Sequence, residues 1–190
     1  MKFSRIALVA LLLLSVSAPS YAGKMKKTTE PLVTTPDKAT IVFMRPGKFV
    51  GAAIAVPVFD ATADEAKFIG IVDAGSKFAY TVPAGEHLFA TTIFGGASGT
   101  RLYKAQVSAG KTYYFRAHII DGLWGLEPVR GGALDGDEFK KWDKGTKLTV
   151  NTEKSLAWGE ANKAKATERA NNLKAAGIGA ENTLNLDDGR

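Results

Sequence analysis

Through residues 39–129 the chain is a succession of short apolar segments separated by Gly, Pro and Asp, and no part of it repeats apolar residues at helical spacing. That pattern restricts this stretch to short strands joined by tight turns. Ala39–Arg45 reads as a first strand ended by Pro46-Gly47, and residues 52–59 as a second, apolar enough to be buried on both faces. Pro57 cannot donate to a ladder, so a bulge or an edge is predicted there. Residues 67–72 and 77–82 flank Asp73-Ala74-Gly75-Ser76 and read as a hairpin. Pro83-Ala84-Gly85 then turns the chain into residues 86–94, followed by a loop rich in glycine at Gly95, Gly96 and Gly99. Residues 102–108 and 111–120 read as another hairpin around Ala109-Gly110.

The last of these strands alternates. Tyr113, Phe115, Ala117 and Ile119 share one face, the predicted core side, and Thr112, Tyr114, Arg116 and His118 share the other. Strands recurring about every 8 to 12 residues with turns between them favour a sandwich or small barrel over a βαβ fold. The expectation is a mainly β chain: an antiparallel, β-sandwich-like domain of immunoglobulin or prealbumin type over residues 39–150. Past Gly131-Gly132 the composition shifts, and residues 135–147 read as a short helical or irregular piece pinned to the strands by Phe139 and Trp142. Leu148-Thr149-Val150 adds a last short strand. Thr152 is a predicted N-cap for a long helix within residues 151–178, with Gly177 as its stop. Its apolar face is thin, built mainly from Ala with Leu156, Trp158 and Leu173. Residues 179–190 read as a disordered tail.

Upstream of the strands, Lys2 and Arg5 precede an apolar run over residues 6–16 broken only by Ser15, and Ser20-Tyr21-Ala22 supplies small residues where a signal peptidase reads them. Residues 1–22 are therefore predicted to be a signal peptide cleaved after Ala22, which places the protein in the periplasm or outside the cell. The run is shorter than the roughly 20 apolar residues of a membrane span, so no transmembrane segment is expected after cleavage. The chain has no cysteine. Disulfides, thiol nucleophiles and thiolate metal sites are excluded by that, as is the cysteine-linked lipid of a bacterial lipoprotein. Residues 23–38 read as a flexible basic leader, in which Lys24, Lys26 and Lys27 give at most a weak peripheral attraction to an anionic membrane. The formal net charge of +6 is modest and is not interleaved with aromatics on one face, so nucleic acid is not an expected partner.

The inventory for chemistry is small. There are two histidines, His87 and His118. Gly96-Ala97-Ser98-Gly99 lacks the frame of a nucleophile elbow. Asp135-Gly136-Asp137-Glu138 lacks the length and spacing of an EF-hand, so neither metal nor cofactor is expected. Tyr114, Arg116 and His118 form the candidate binding face, in which a guanidinium fork suits an anion. Trp124, Trp142 and Trp158 serve either as a glycan or peptide platform or as packing anchors. No carboxylate stands apart from the others, so the chain reads as non-catalytic, with a carboxylate-dependent hydrolase acting on envelope polymers as the alternative.

Five segments carry a resemblance: Ile41-Val42-Phe43-Met44-Arg45-Pro46, Gly51, Phe68-Ile69-Gly70, the turn Tyr80-Thr81-Val82-Pro83-Ala84-Gly85-Glu86-His87, and Ala109-Gly110-Lys111-Thr112-Tyr113-Tyr114-Phe115. Over residues 39–120 the chain resembles the bacterial exported domain of unknown function family 2846. Arg45, Pro46, Gly85, His87, Gly110 and Tyr113 match its motifs. The resemblance implies a β-sandwich-like fold and an envelope setting, and no activity. Many members look like lipoproteins, from which this chain departs in having no cysteine. The functional expectation is an exported, non-catalytic module of the bacterial cell envelope in a binding or structural role, with an envelope protein or glycan as partner.

Overall fold

The two faces predicted for residues 112–120 set the layering of the molecule. The computed structural model describes residues 25–47, 54–93, 99–120 and 123–190. Among them the strands are β1 (Lys26–Lys27), β2 (Ala39–Arg45), β3 (Val56–Asp60), β4 (Lys67–Val72), β5 (Ser76–Val82), β6 (Gly85–Ile93), β7 (Gly99–Val107), β8 (Thr112–Ile120) and β9 (Leu123–Pro128). Helix α1 (Asp137–Gly145), strand β10 (Lys147–Val150), helix α2 (Glu153–Lys174) and strand β11 (Thr183–Leu184) complete the chain. One sheet has the order β1-β10-β5-β2-β8-β9, and a second has the order β11-β7-β6-β3-β4.

The inward residues of both sheets meet in one core. Ile41 and Phe43 of β2, Phe78 of β5 and Tyr113, Phe115 and Ala117 of β8 are buried against Val56, Val58, Phe89 and Tyr103 of the second sheet. Phe43 stacks on Phe78 at 5.0 Å and on Phe115 at 5.6 Å, and meets Phe89 edge-on at 5.3 Å. Such pairs each add about 0.5–1.5 kcal/mol beyond the area they bury. The alternation thus identifies the core side of β8 for Tyr113, Phe115 and Ala117; the Ile119 side chain lies outside the described residues.

Both predicted hairpins are corrected. β4 and β5 lie in different sheets, as do β7 and β8; the antiparallel neighbours are β3 with β4, β6 with β7 and β8 with β9. The turn residues do reverse the chain, but their glycines are bonded elsewhere. Gly75 (φ 71°) donates its N–H to Arg45 O, and Gly110 (φ 75°) donates to Lys38 O, so each turn delivers its outgoing strand to the side of β2. The sheets are also mixed rather than antiparallel throughout. β2 runs parallel to β8, β10 to β5 and β11 to β7. Pro57 sits one residue before a register shift between Val58 and Phe59, and β3 is an inner strand, so the bulge is observed and the edge is not.

Each of the two segments expected to be loose carries a short strand. β1 pairs antiparallel with β10 and Met25 is buried in the core, so the leader is partly a strand. At the other terminus β11 pairs with β7, and Arg190 exchanges both backbone hydrogen bonds with Thr112, at 2.8 and 3.1 Å. Asp188 accepts from Arg130 Nη1, Gly131 N and Asn185 N, which locks the segment that composition marks as disordered. These bonds are made between residues far apart in sequence, and a polar composition gives no sign of them.

Both helices lie on outer faces. Phe139 of α1 packs on Tyr114, ring centroids 4.8 Å apart, beside Val42 and Met44 of β2, so the predicted pinning is observed. α2 starts with a capping box, in which Thr152 Oγ1 accepts from Ser155 N and Ser155 Oγ accepts from Thr152 N. It ends at Lys174, three residues before Gly177. Its small residues Gly159, Ala166 and Ala170 approach Phe68, Phe59 and Leu102 on the second sheet, with Trp158 edge-on to Phe68 at 5.8 Å. No helix among the described residues is long and apolar enough to cross a membrane.

Candidate functional site between β8, β9 and α1

Antiparallel pairing sets Arg116 of β8 directly opposite Glu127 of β9, so their side chains leave the sheet on one face. Arg116 donates from Nε (3.1 Å) and Nη2 (2.5 Å) to a single oxygen, Glu127 Oε2. The guanidinium lies over the Trp142 ring of α1, 4.4 Å from its centroid. A cation held both by a carboxylate and by an aromatic face gains about 0.5–2 kcal/mol from the ring alone and loses most of its freedom to rotate. Among the described residues Arg116 Nη1 and Glu127 Oε1 make no hydrogen bond, and Arg116, Glu127 and Trp142 line a cleft of about 270 Å³. Pro128, Val129, Arg130, Ala133 and Glu138 line the remainder.

His118 lies two residues along β8 on the same face. Its Nε2 is 3.2 Å from Glu127 Oε2, yet that nitrogen is buried and makes no hydrogen bond, so the contact is electrostatic and lacks the angle of a directed bond. Burial, reinforced by the neighbouring Arg116, pushes the imidazole below its ordinary value against the opposing pull of Glu127. His118 is therefore a neutral ring at neutral pH. Tyr114, the third member of the predicted face, is not at the surface. Phe139 covers it from α1, and the Arg190 guanidinium lies 5.5 Å from its ring centroid. A short helix and the chain's last residue occupy the place where solvent was expected.

The six residues on which a family resemblance was expected fall at opposite ends of the sheets. At one end Arg45 is fully buried and donates from Nη1 to Ile54 O, with Pro46 following it half-buried. Burial pushes this guanidinium down, and Asp73 opposes the shift. At the other end Gly85 (φ 131°) and Gly110 shape turns, His87 Nε2 lies 2.9 Å from Pro83 O, and Tyr113 OH accepts from Ser108 N and donates to Leu186 O. Each has a local structural role at a turn or a strand end.

Sequence reasoning missed Glu127, although a strand predicted after residue 120 would have set it against Arg116. It named Trp142 as an anchor without its cation. A larger groove of about 580 Å³ runs between α2 and β4, lined by Glu65, Lys67, Phe68, Leu156, Glu160 and Lys163. Its two carboxylates both face Lys163 Nζ, at 2.6 Å for Glu65 and 3.8 Å for Glu160. Among the described residues no group of three His, Asp or Glu side chains is placed to hold a metal ion. Residues 94–98, with Ser98, and the Trp124 side chain lie outside the described residues.

No family model matches this sequence, and no curated protein or solved structure was found to be similar to it.

Proposed function

We propose that this chain is an exported, non-catalytic module of the bacterial cell envelope, of the β-sandwich class seen in immunoglobulin and prealbumin folds, and that its ligand site is the Arg116–Glu127–Trp142 cleft. One observation carries the reading. A guanidinium fixed by a carboxylate and an indole keeps an unused donor, Nη1, and its carboxylate an unused acceptor, Oε1, on residues that line one cleft. Paired hydroxyls next to an aromatic ring are the groups that satisfy such a donor and acceptor together. The cleft is slightly below the roughly 300–1,000 Å³ of drug-sized pockets, which suits a single sugar ring better than a long peptide. An envelope glycan is thus favoured over an envelope protein. The sandwich class is supported by the shared Phe43, Phe78, Phe89 and Phe115 core between two sheets, and kinship with family 2846 by turn glycines that serve the fold. Export rests on residues 1–22, which lie outside the described residues.

The test is titration of the 15N-labelled protein with N-acetylglucosamine oligomers, followed through the indole N–H signal of Trp142, assigned by its loss in Trp142→Phe. Saturable movement of that signal, absent in Glu127→Gln, is expected. An unmoved Trp142 signal alongside shifts at another site would overturn the assignment of the cleft.

A further inference from the structure

Ladder pairing sets Lys77, Met44, Arg116 and Glu127 in one row across the outer face of the first sheet. Lys77, at its far end, is held by Asp143 of α1, and the charges that act on His118 are Arg116 from its own strand and Glu127 from β9. Beyond them the cleft carries Glu138 of α1 and Arg130, the latter bound to Asp188. His118 stands one pair further along the β8–β9 ladder, opposite Gly125, which has no side chain to fill the space beside the ring. The imidazole reaches diagonally to Glu127, a step within range of a long side chain. Its Nε2 lies 3.2 Å from Oε2, the same oxygen that takes both Arg116 bonds.

A carboxylate oxygen offers two lone-pair positions, and Arg116 supplies two donors to this one. Buried side-chain nitrogens are ordinarily hydrogen-bonded. His118 Nε2 is buried and makes no hydrogen bond among the described residues, although an acceptor stands within reach. In the neutral ring one nitrogen carries a proton; in the imidazolium both do. Protonation therefore sets an N–H and a positive charge against Oε2, whichever tautomer came before. A third donor at an oxygen already serving two displaces one of them, and the new charge also repels the guanidinium two residues away.

We infer that His118 is an acid switch for the Arg116–Glu127–Trp142 cleft: a proton taken from water by the imidazole draws Glu127 off Arg116, frees the guanidinium from the indole and removes the donor–acceptor pair offered to a ligand. Only that last step rests on the reading of the cleft as the ligand site; the release of Arg116 stands on the side chains themselves. Charge points the same way. With a neutral ring, Arg116, Glu127 and His118 carry no net charge, which suits a neutral polyol; with a protonated ring they are net positive. Burial keeps the titration below 6.5, so the cleft is assembled at neutral pH and released in acid.

The experiment follows the 15N-labelled full chain by NMR from about pH 8 down to the onset of acid unfolding. The His118 ring signals, assigned by their loss in His118→Gln, give the midpoint. One pH unit below it, the Arg116 Nε–H should have lost its protection from exchange with water relative to His118→Gln at the same pH; one unit above, the two should match. His118→Leu, which neither titrates nor donates, should behave as His118→Gln does. Affinity for N-acetylglucosamine oligomers, read at the Trp142 indole N–H, should weaken by about tenfold for each pH unit below the midpoint and stay level in both variants. A His118 that titrates while Arg116 stays protected overturns the inference. So does an imidazole that takes no proton before the protein unfolds, and so does equal oligomer affinity on both sides of the midpoint. Oligomers that bind at no pH, with Arg116 still released by the His118 proton, remove the glycan reading and leave the switch standing.

Discussion

Replacing Gly159 with alanine tests whether α2 is seated on the second sheet as described. In the interior of a solvated helix this change stabilises by about 1 kcal/mol, because glycine carries the larger entropy cost. Here an added Cβ would lie 2.6 Å from Phe68 Cβ, and nearer still to the ring atoms Cγ and Cδ1. The obstruction is at the root of the Phe68 side chain, which no rotamer moves aside, and Phe68 is held by Phe59 on one flank and Trp158 on the other. The helix must lift from β4, an overpacking cost of about 1–3 kcal/mol. Against the propensity gain, the net loss is up to about 2 kcal/mol, or up to roughly 8 °C in Tm for a chain of this size. Thermal and urea unfolding, followed by circular dichroism, read the change directly. A variant more stable than the parent by about 1 kcal/mol would refute the close approach of α2 to β4 and the packing argument built on it.

Tyr103→Phe removes the hydroxyl that accepts from Leu126 N at 2.9 Å in the core, leaving a buried N–H unsatisfied, and should cost about 1–3 kcal/mol in urea unfolding. Asp188→Ala should free residues 183–190, seen as faster amide exchange there while the Phe43 core stays protected, since Asp188 accepts three separate bonds. His118 titrates below its ordinary 6.5 in the folded protein, so the unfolded chain binds the extra proton first as pH falls. Stability is therefore full above about pH 6.5 and declines as pH drops from there toward the depressed folded value. His118→Gln should flatten that part of the stability–pH profile, measured by urea midpoints across pH 5–8, and an unchanged slope would remove His118 as its cause.

Local chemistry was readable from the sequence wherever one segment decided the outcome by itself. The core side of β8, the cap at Thr152, the stop near Gly177 and the pinning by Phe139 and Trp142 all follow from spacing within a few residues. What could not be read was pairing. A Gly with positive φ at residue 75 or 110 states that the chain turns; it does not state whether the outgoing strand joins its predecessor or crosses to the other sheet. The same gap hid the candidate cleft, since Arg116 and Glu127 become partners only through the β8–β9 register. It also hid the order at both termini, where Lys26–Lys27 and Thr183–Leu184 gain their structure from strands well over seventy residues away.

Those closures set a timetable. A chain delivered from its N-terminus cannot complete either sheet early: β1 must wait for residues 149–150, β2 for residues 112–116, and β7 for residues 183–184. Pairings so distant form slowly and late, because their loop-closure cost is met before any contact repays it. Both sheets thus close only through pairings distant in sequence. The backbone hydrogen bonds between Arg190 and Thr112 belong to the same class of late closure, since they too join residues far apart along the chain.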